Sequence, residues 1–210
     1  MKNEKEKMSK ILTLSDVKRQ PSLLTYNLVL LSREKVILRP LKYKDLNNLT
    51  IFLKNLSSKT RKFYNFPTFD LKMAKELCNA INKYDKLRFI LKTKFSKKII
   101  ALFEFSFDMP ETDKKRFLKY DIKLNSKNYC RFAPCIADSY QNKKVGSLVF
   151  PYIIKIAHKF NRKKIILWGG VLAKNDRAIK FYKNNKFKEL GKFKDPNQTN
   201  QYSIDMIKLK

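Results

Sequence analysis

Glycine is almost missing from this chain: of 210 residues only Gly146, Gly169, Gly170 and Gly191 are glycine, all in the last third. A residue without a Cβ is the usual answer wherever a backbone turns through positive φ or lets another group come close. In a sequence this poor in glycine, each one marks a place where a side chain would not fit. Gly146 stands in SYQNKKVGSLVF, between a strand-like segment and an apolar, helix-periodic one. That succession turns a row of backbone N–H groups and the positive end of a helix toward one point, which makes an anion site. Lys143 and Lys144 add charge beside it. A plain strand-to-helix turn on a lysine-rich surface fits these residues equally well, and both readings stand.

The remaining chain predicts helices on a mixed sheet. VILRPL (36–41) reads as a strand, and Asp45 reads as the cap of a helix running to about Leu56, with Leu46, Leu49, Phe52 and Leu53 on one face. A linker with Phe63, Tyr64 and Phe66 precedes Pro67, and Asp70 starts a second helix. LRFILK (87–92) and IIALFEFSF (99–107) fit an antiparallel hairpin. Residues 108–128 are charged and poorly periodic, which predicts an insertion or extended loop. RFAPCIAD (131–138) is the next strand despite Pro134, followed by a helix over 146–160, a buried strand KIILWGGVL (164–172), a helix over 175–185 and a last strand near QYSIDMIKL. Residues 1–33 read as an N-terminal arm or extension, and 34–210 as one domain.

A second signal is NDRAIKFYKNNKF (175–187), where Asn175, Ala178, Ile179 and Tyr182 share one helical face behind an Asn N-cap. An amide and a phenol thus stand along one side of a helix that begins just after a buried strand. A capped amphipathic helix with a core tyrosine is the plainer alternative. Other chemistries are pruned by what the sequence lacks. His158 is its one histidine, the three cysteines (Cys78, Cys130, Cys135) form no CxxC, and no GxGxxG or Walker pattern occurs. A metal site, a dinucleotide fold and a P-loop are therefore not expected. No apolar stretch reaches the roughly 18 residues of a membrane span, and MKNEKEKMSK lacks a signal-peptide core, so a cytoplasmic protein is expected.

Charge then needs an account. Forty-eight Lys and Arg against 18 Asp and Glu give +30, spread along the chain. Such an excess attracts nucleic acid, membranes or phosphorylated ligands. It is also what a lysine-rich solvated surface would give.

Taken together, the two segments resemble the GNAT acetyltransferase superfamily. Its acyl-CoA loop, Q/R-x-x-G-x-G/A, is matched by Gln141-Asn142-Lys143-Lys144-Val145-Gly146, and its later helix, N-x-x-A-x-x-x-Y-x-x-x-G-F, by Asn175, Ala178, Tyr182 and Phe187. The likeness is strong over about 130–191, weaker over 36–107 and absent in 1–33. Lys144 and Lys186 replace two family glycines. The resemblance implies an α/β (α+β) GNAT fold: a mixed sheet of six to seven strands, about four helices, and a splayed pair of parallel strands holding acyl-CoA.

It further implies an N-acetyltransferase acting on a primary amine by direct attack in a ternary complex with acetyl-CoA, without metal. By resemblance, Ile136 N–H meets the thioester side, while Gln141, Asn142, Lys143, Lys144, Val145, Gly146 and Ser147 meet the pyrophosphate. Gly146 would be the position that lets the pyrophosphate approach. Asn175 positions the cofactor, and Tyr182 is the general acid for the thiolate, its phenol pKa being about 10. The family's glutamate base falls on Gly170, so the base is left to Glu104, then Asp138, or to water. A left-handed Lys144 would carry strain of order 1–3 kcal/mol. A homodimer stays open, as do two other readings: a basic nucleic-acid- or ribosome-binding module without catalysis, and a degenerate acyl-CoA-binding GNAT.

Overall fold

The computed structural model describes residues 11–83, 86–194 and 201–209. In chain order the elements are α1 (Leu14–Arg19), β1 (Tyr26–Val29), β2 (Lys35–Pro40), α2 (Leu46–Lys54), α3 (Ser58–Arg61), α4 (Leu71–Lys83), β3 (Lys86–Thr93), β4 (Ile99–Ser106), α5 (Glu111–Leu118), β5 (Tyr129–Ile136), α6 (Val145–Lys159), β6 (Lys164–Leu167), β7 (Val171–Leu172), α7 (Asp176–Asn184), β8 (Lys188–Lys194) and β9 (Tyr202–Lys208). One mixed sheet runs β1-β2-β3-β4-β5-β6-β9-β7, with β8 also paired to β9. The β5–β6 pair is parallel and every other pair is antiparallel.

Alternation along the strands sends side chains to two different cores. Leu87, Phe89, Leu91, Phe103, Phe105 and Phe132 join α6, Tyr182 of α7 and Val17 of α1 on one face. Ile90, Leu102 and Cys135 pack under α2 and α4 on the other. Further along that second face, Phe117 of α5 covers Tyr129, Ile166 and Ile207. Every residue of β4 is buried, which makes it the centre of the sheet.

Among the described residues the sheet is larger than the sequence implies, nine strands against six to seven, because β1 and β8 join it and the expected strand 164–172 divides into β6 and β7. Of the expected arm, residues 1–10 lie outside the described residues. Residues 14–30 are part of the fold: Val17 and Leu24 are buried and β1 pairs with β2. Among the described residues there are seven α-helices against about four expected, including the short α1, α3 and α5.

The segment expected as an extended loop contains α5, bound to the sheet by ion pairs. Arg116 bonds Asp113 at 2.8 Å and Asp205 of β9 at 2.7 Å, and Arg131 of β5 reaches Asp113 at 3.4 Å. Asp45 does not cap α2 with its side chain; its carboxylate takes both Arg39 nitrogens, at 2.7 and 2.6 Å, and the Lys42 N–H. That bidentate fork is the stronger partner. Asp70 does accept from the Lys72 and Met73 N–H groups at the start of α4.

Candidate functional site

The parallel pairing of β5 with β6 runs from Tyr129–Lys164 to Phe132–Leu167, where Trp168 N–H still donates to Phe132 O. Then Gly169 and Gly170 take φ of +72° and +73° and carry the chain away to pair with β9 as β7. Gly170 is obligatory twice over. Its φ is left-handed, and a Cβ there would lie 2.9 Å from Ile204 O and from the Phe193 ring. The result is the expected splay: beyond Phe132, the far edge of β5 faces a gap instead of a strand.

What that edge offers follows from antiparallel alternation. Ala137 N–H donates to Ile100 O, so Ala137, Cys135 and Ala133 exchange bonds with β4. Pro134 and Ile136 therefore turn their backbone groups toward the gap. Pro134 has no N–H, and β5 keeps its register through it, because no ladder bond is lost at a residue facing away from β4. Pro134 O accepts Tyr64 O–H at 2.9 Å, and Ile136 O accepts Gln141 Nε2 at 2.8 Å. Both gap-facing carbonyls are thus satisfied by side chains, and Ile136 N–H is the donor directed into the gap.

Past Ile136 the chain enters the loop that leads into α6. Asn142 and Lys144 take φ of +59° and +57°, and Lys144 is the N-cap of α6. The first helical bond is Leu148 N–H to Lys144 O, which leaves the N–H groups of Val145, Gly146 and Ser147 without an intrahelical acceptor. No side chain caps them. A 15-residue helix thus presents its positive end beside Lys143 and Lys144.

The missing Cβ of Gly146 spares the Phe181 ring of α7, which a Cβ would meet at 2.9 Å, and it faces Ile136 Cδ1 at 3.5 Å. The glycine is dictated by the packing of α6 on α7. Gln141 turns inward: beside Ile136 O, its amide donates to Thr60 Oγ1 at 3.0 Å and accepts from Arg177 of α7. Its side chain fixes the loop to α3, β5 and α7.

On α7, Asn175 Oδ1 caps the helix through Ala178 N–H at 3.2 Å, so its amide nitrogen is the part able to reach outward. Tyr182 is 5% exposed, its ring between those of Phe181 and Phe187 at 5.2 and 5.1 Å. Burial pushes its phenol above the ordinary tyrosine range. Lys186, at the second missing family glycine, takes φ of +61°.

The acids are engaged elsewhere. Glu104 lies opposite Arg88 on β3 and Ala133 on β5, and its Oε2 accepts Arg88 Nε at 2.7 Å in a buried pair. Asp138 accepts from Ser57 N–H, Ser57 O–H and Thr60 O–H at 2.9, 2.6 and 2.6 Å. Burial raises its pKa, but these hydrogen bonds prevail and hold it below the usual aspartate value. A carboxylate so occupied ties α3 to the loop and is poorly placed to take a proton.

Tyr64 lies in the aromatic linker that precedes Pro67. It stacks with Phe66 at 5.8 Å and projects from the α3–α4 linker onto the gap-facing edge of β5. Its phenol stays well above the ordinary range. Burial is the main cause, followed by the Cys135 thiol beside it and by the charge Tyr182 would carry, against the opposing Arg177. A lone aromatic in a linker carries no signal of its meeting with Pro134 O.

No protein-family model matches the sequence, and no curated protein matches it. Solved structures do resemble this chain. The GNAT domain of S. lividans PAT is 14% identical, with a TM-score of 0.69 over 90% of this chain and 99% of that one. The ribosomal-protein-S5-alanine acetyltransferase from Vibrio fischeri is 15% identical, with a TM-score of 0.65 over 83% and 92%. An aminoglycoside acetyltransferase in complex with coenzyme A is 17% identical, with a TM-score of 0.64 over 83% and 95%.

Proposed function

We propose that this chain, whose fold is that of the GNAT acetyltransferases, transfers an acetyl group from acetyl-CoA to a primary amine by direct attack. The observation that supports it most is the splay: a single N–H donor, at Ile136, faces a gap that leads to the uncapped start of α6. An extended ligand carrying amides at one end and phosphates at the other matches both features, the first as an added strand and the second as an anion at a helix N-terminus. Bound there, acetyl-CoA supplies an activated thioester.

The residues then divide the work. Ile136 N–H donates to a carbonyl in the gap. The N–H groups of Val145, Gly146 and Ser147, with Asn142, Lys143 and Lys144, receive the diphosphate. Lys144 reaches the left-handed turn without glycine, so the loop closes as the family's does. Gln141 keeps that loop in register with β5, and the Asn175 amide nitrogen positions the cofactor. Tyr182, kept protonated by its burial, donates its proton to the departing thiolate. With Glu104 paired to Arg88 and Asp138 to α3, the proton released by the ammonium goes to water. Two proteins of similar fold are a ribosomal-protein-S5-alanine acetyltransferase and an aminoglycoside acetyltransferase, and proteins and aminoglycosides both carry primary amines.

The experiment is calorimetric titration of the purified protein with acetyl-CoA, followed by thiol release against a library of amines and peptides. Saturable micromolar binding that survives moderate salt, with amine-dependent thiol release, supports the proposal. Absence of coenzyme binding ends it. Salt-steep nucleic-acid binding without a coenzyme response would point to the basic module instead.

A further inference from the structure

An amine that attacks a thioester held at Ile136 N–H has one open approach. The α6–α7 side of the gap is filled, with Phe150, Tyr182 and Phe187 at 4, 5 and 4% exposure. The α2–α4 side is not: Ala133 is half-buried there, under a half-buried Tyr64. On that side the arriving nitrogen needs a hydrogen-bond acceptor, because it comes with N–H bonds and must turn its lone pair to the thioester carbon.

The edge of β5 offers two gap-facing carbonyls within reach of Ile136 N–H. Ile136 O is covered by Gln141, itself held by Thr60 and Arg177. Pro134 O has one bond, from Tyr64 O–H at 2.9 Å, and a carbonyl oxygen can accept two. We infer that the Pro134 carbonyl receives an N–H of the acceptor amine and that Tyr64 is the positioning residue that holds this carbonyl in aim. The inference rests on the acetyl-transfer reading above.

Several features converge on Tyr64. Its phenol is a donor that stays protonated, since burial, Cys135 and Tyr182 all disfavour its anion. It cannot be replaced in this bond by a neighbour in the backbone, because β6 has already turned away at Gly169. The ring is supported by Phe66, which packs on Phe69 at 5.6 Å, and Phe69 carries the Arg61 guanidinium at 5.0 Å. In the reaction the arriving ammonium first gives one proton to water, the freed nitrogen bonds to the acetyl carbon, the C–S bond breaks and the thiolate takes a proton from Tyr182. The second proton, shed by the nitrogen as it becomes an amide, returns through water to the Tyr182 phenolate. Tyr64 neither gains nor loses a proton.

The test needs a readout at the carbonyl itself. The carbonyl carbon of Pro134 is observable by NMR through the Cys135 amide. In protein saturated with coenzyme A, ethylammonium should move that signal, while tetramethylammonium, equal in charge but without N–H, should not. Tyr64→Phe should shift the signal before any amine is added. With acetyl-CoA and hydroxylamine, a small nucleophile uncharged at neutral pH, Tyr64→Phe should slow thiol release by about tenfold, the order of one hydrogen bond. Coenzyme affinity and thermal midpoint should stay at wild-type values. An unmoved Pro134 signal, an unchanged rate, or a rate that falls only in step with stability and coenzyme affinity would overturn the inference. Failure of the wild-type protein to bind coenzyme A would instead remove the acetyl-transfer reading beneath it.

Discussion

Lys144 sits at φ +57° and ψ +16°, where a side chain is strained and glycine is not. Replacing it with glycine separates two consequences that a single lysine combines. Relief of the left-handed conformation gains about 1–2 kcal/mol, and the greater freedom of glycine in the unfolded chain returns about 0.4–1 kcal/mol of that. The net is stabilisation of about 0.5–1 kcal/mol, or roughly 1–4 °C in midpoint for a chain of this size. The same substitution removes an ammonium beside the open start of α6, so acetyl-CoA should bind about threefold more weakly at low salt, a difference that shrinks as salt rises. Lys186→Gly, at φ +61°, is the internal control: it should raise the midpoint similarly and leave coenzyme affinity alone. Differential scanning fluorimetry and calorimetric titration on the two variants measure both quantities. A lower midpoint for Lys144→Gly, or equal coenzyme affinity in both variants, would refute the reasoning about strain and charge respectively.

Other substitutions probe the neighbouring parts. Tyr182→Phe should lower turnover by roughly 100-fold with acetyl-CoA affinity nearly intact; near-normal turnover would reduce Tyr182 to packing. Gly146→Ala drives a methyl against the Phe181 ring, 2.9 Å away, and should destabilise by about 1–3 kcal/mol, read by denaturant unfolding; a stability equal to wild type would contradict the described α6–α7 contact. Asp45 has its pKa lowered: burial opposes this, but the Arg39 hydrogen bonds and charge prevail. Its contribution is therefore complete above the unfolded value of 3.8 and is lost as pH falls through the lower folded one. Asp45→Asn should flatten the acid limb of the stability profile, and a limb of unchanged steepness would show that other carboxylates dominate it.

The outline was legible where one physical demand dominates. The capped, strongly amphipathic α7 and the Asp70-led α4 follow from periodicity and caps. The two glycine-to-lysine replacements both occupy positive-φ positions, as the motif required. Harder to read were β1, four residues long, and β8, KELGKFK, none of whose residues is fully buried. A charged edge strand has no alternation to detect, since pairing to β9 and not burial holds it. α5 commits only Asp113 and Phe117 to the interior, and Asp113 is there because Arg116 of the same helix and Arg131 of β5 meet it. Gly146 was correctly singled out as a place without room for a side chain, but the neighbour that claims the space is Phe181, whose position depends on how two helices cross. Tyr64 illustrates the limit most clearly. Its partner Pro134 is 70 residues away, and no local pattern encodes that meeting.

The ion pairs that bind α5 to β5 and β9 have a bearing on how substrates would be told apart. Swinging that helix outward would take Arg116 from Asp205 and Asp113 from Arg131, leaving Asp205 and Arg131 buried without those partners, and breaking even one such pair costs about 3–5 kcal/mol. The segment is therefore a fixed wall and not a hinged flap. A molecule arriving on that side meets a contour already set, so discrimination there is a matter of fit at first encounter and owes nothing to a closing motion.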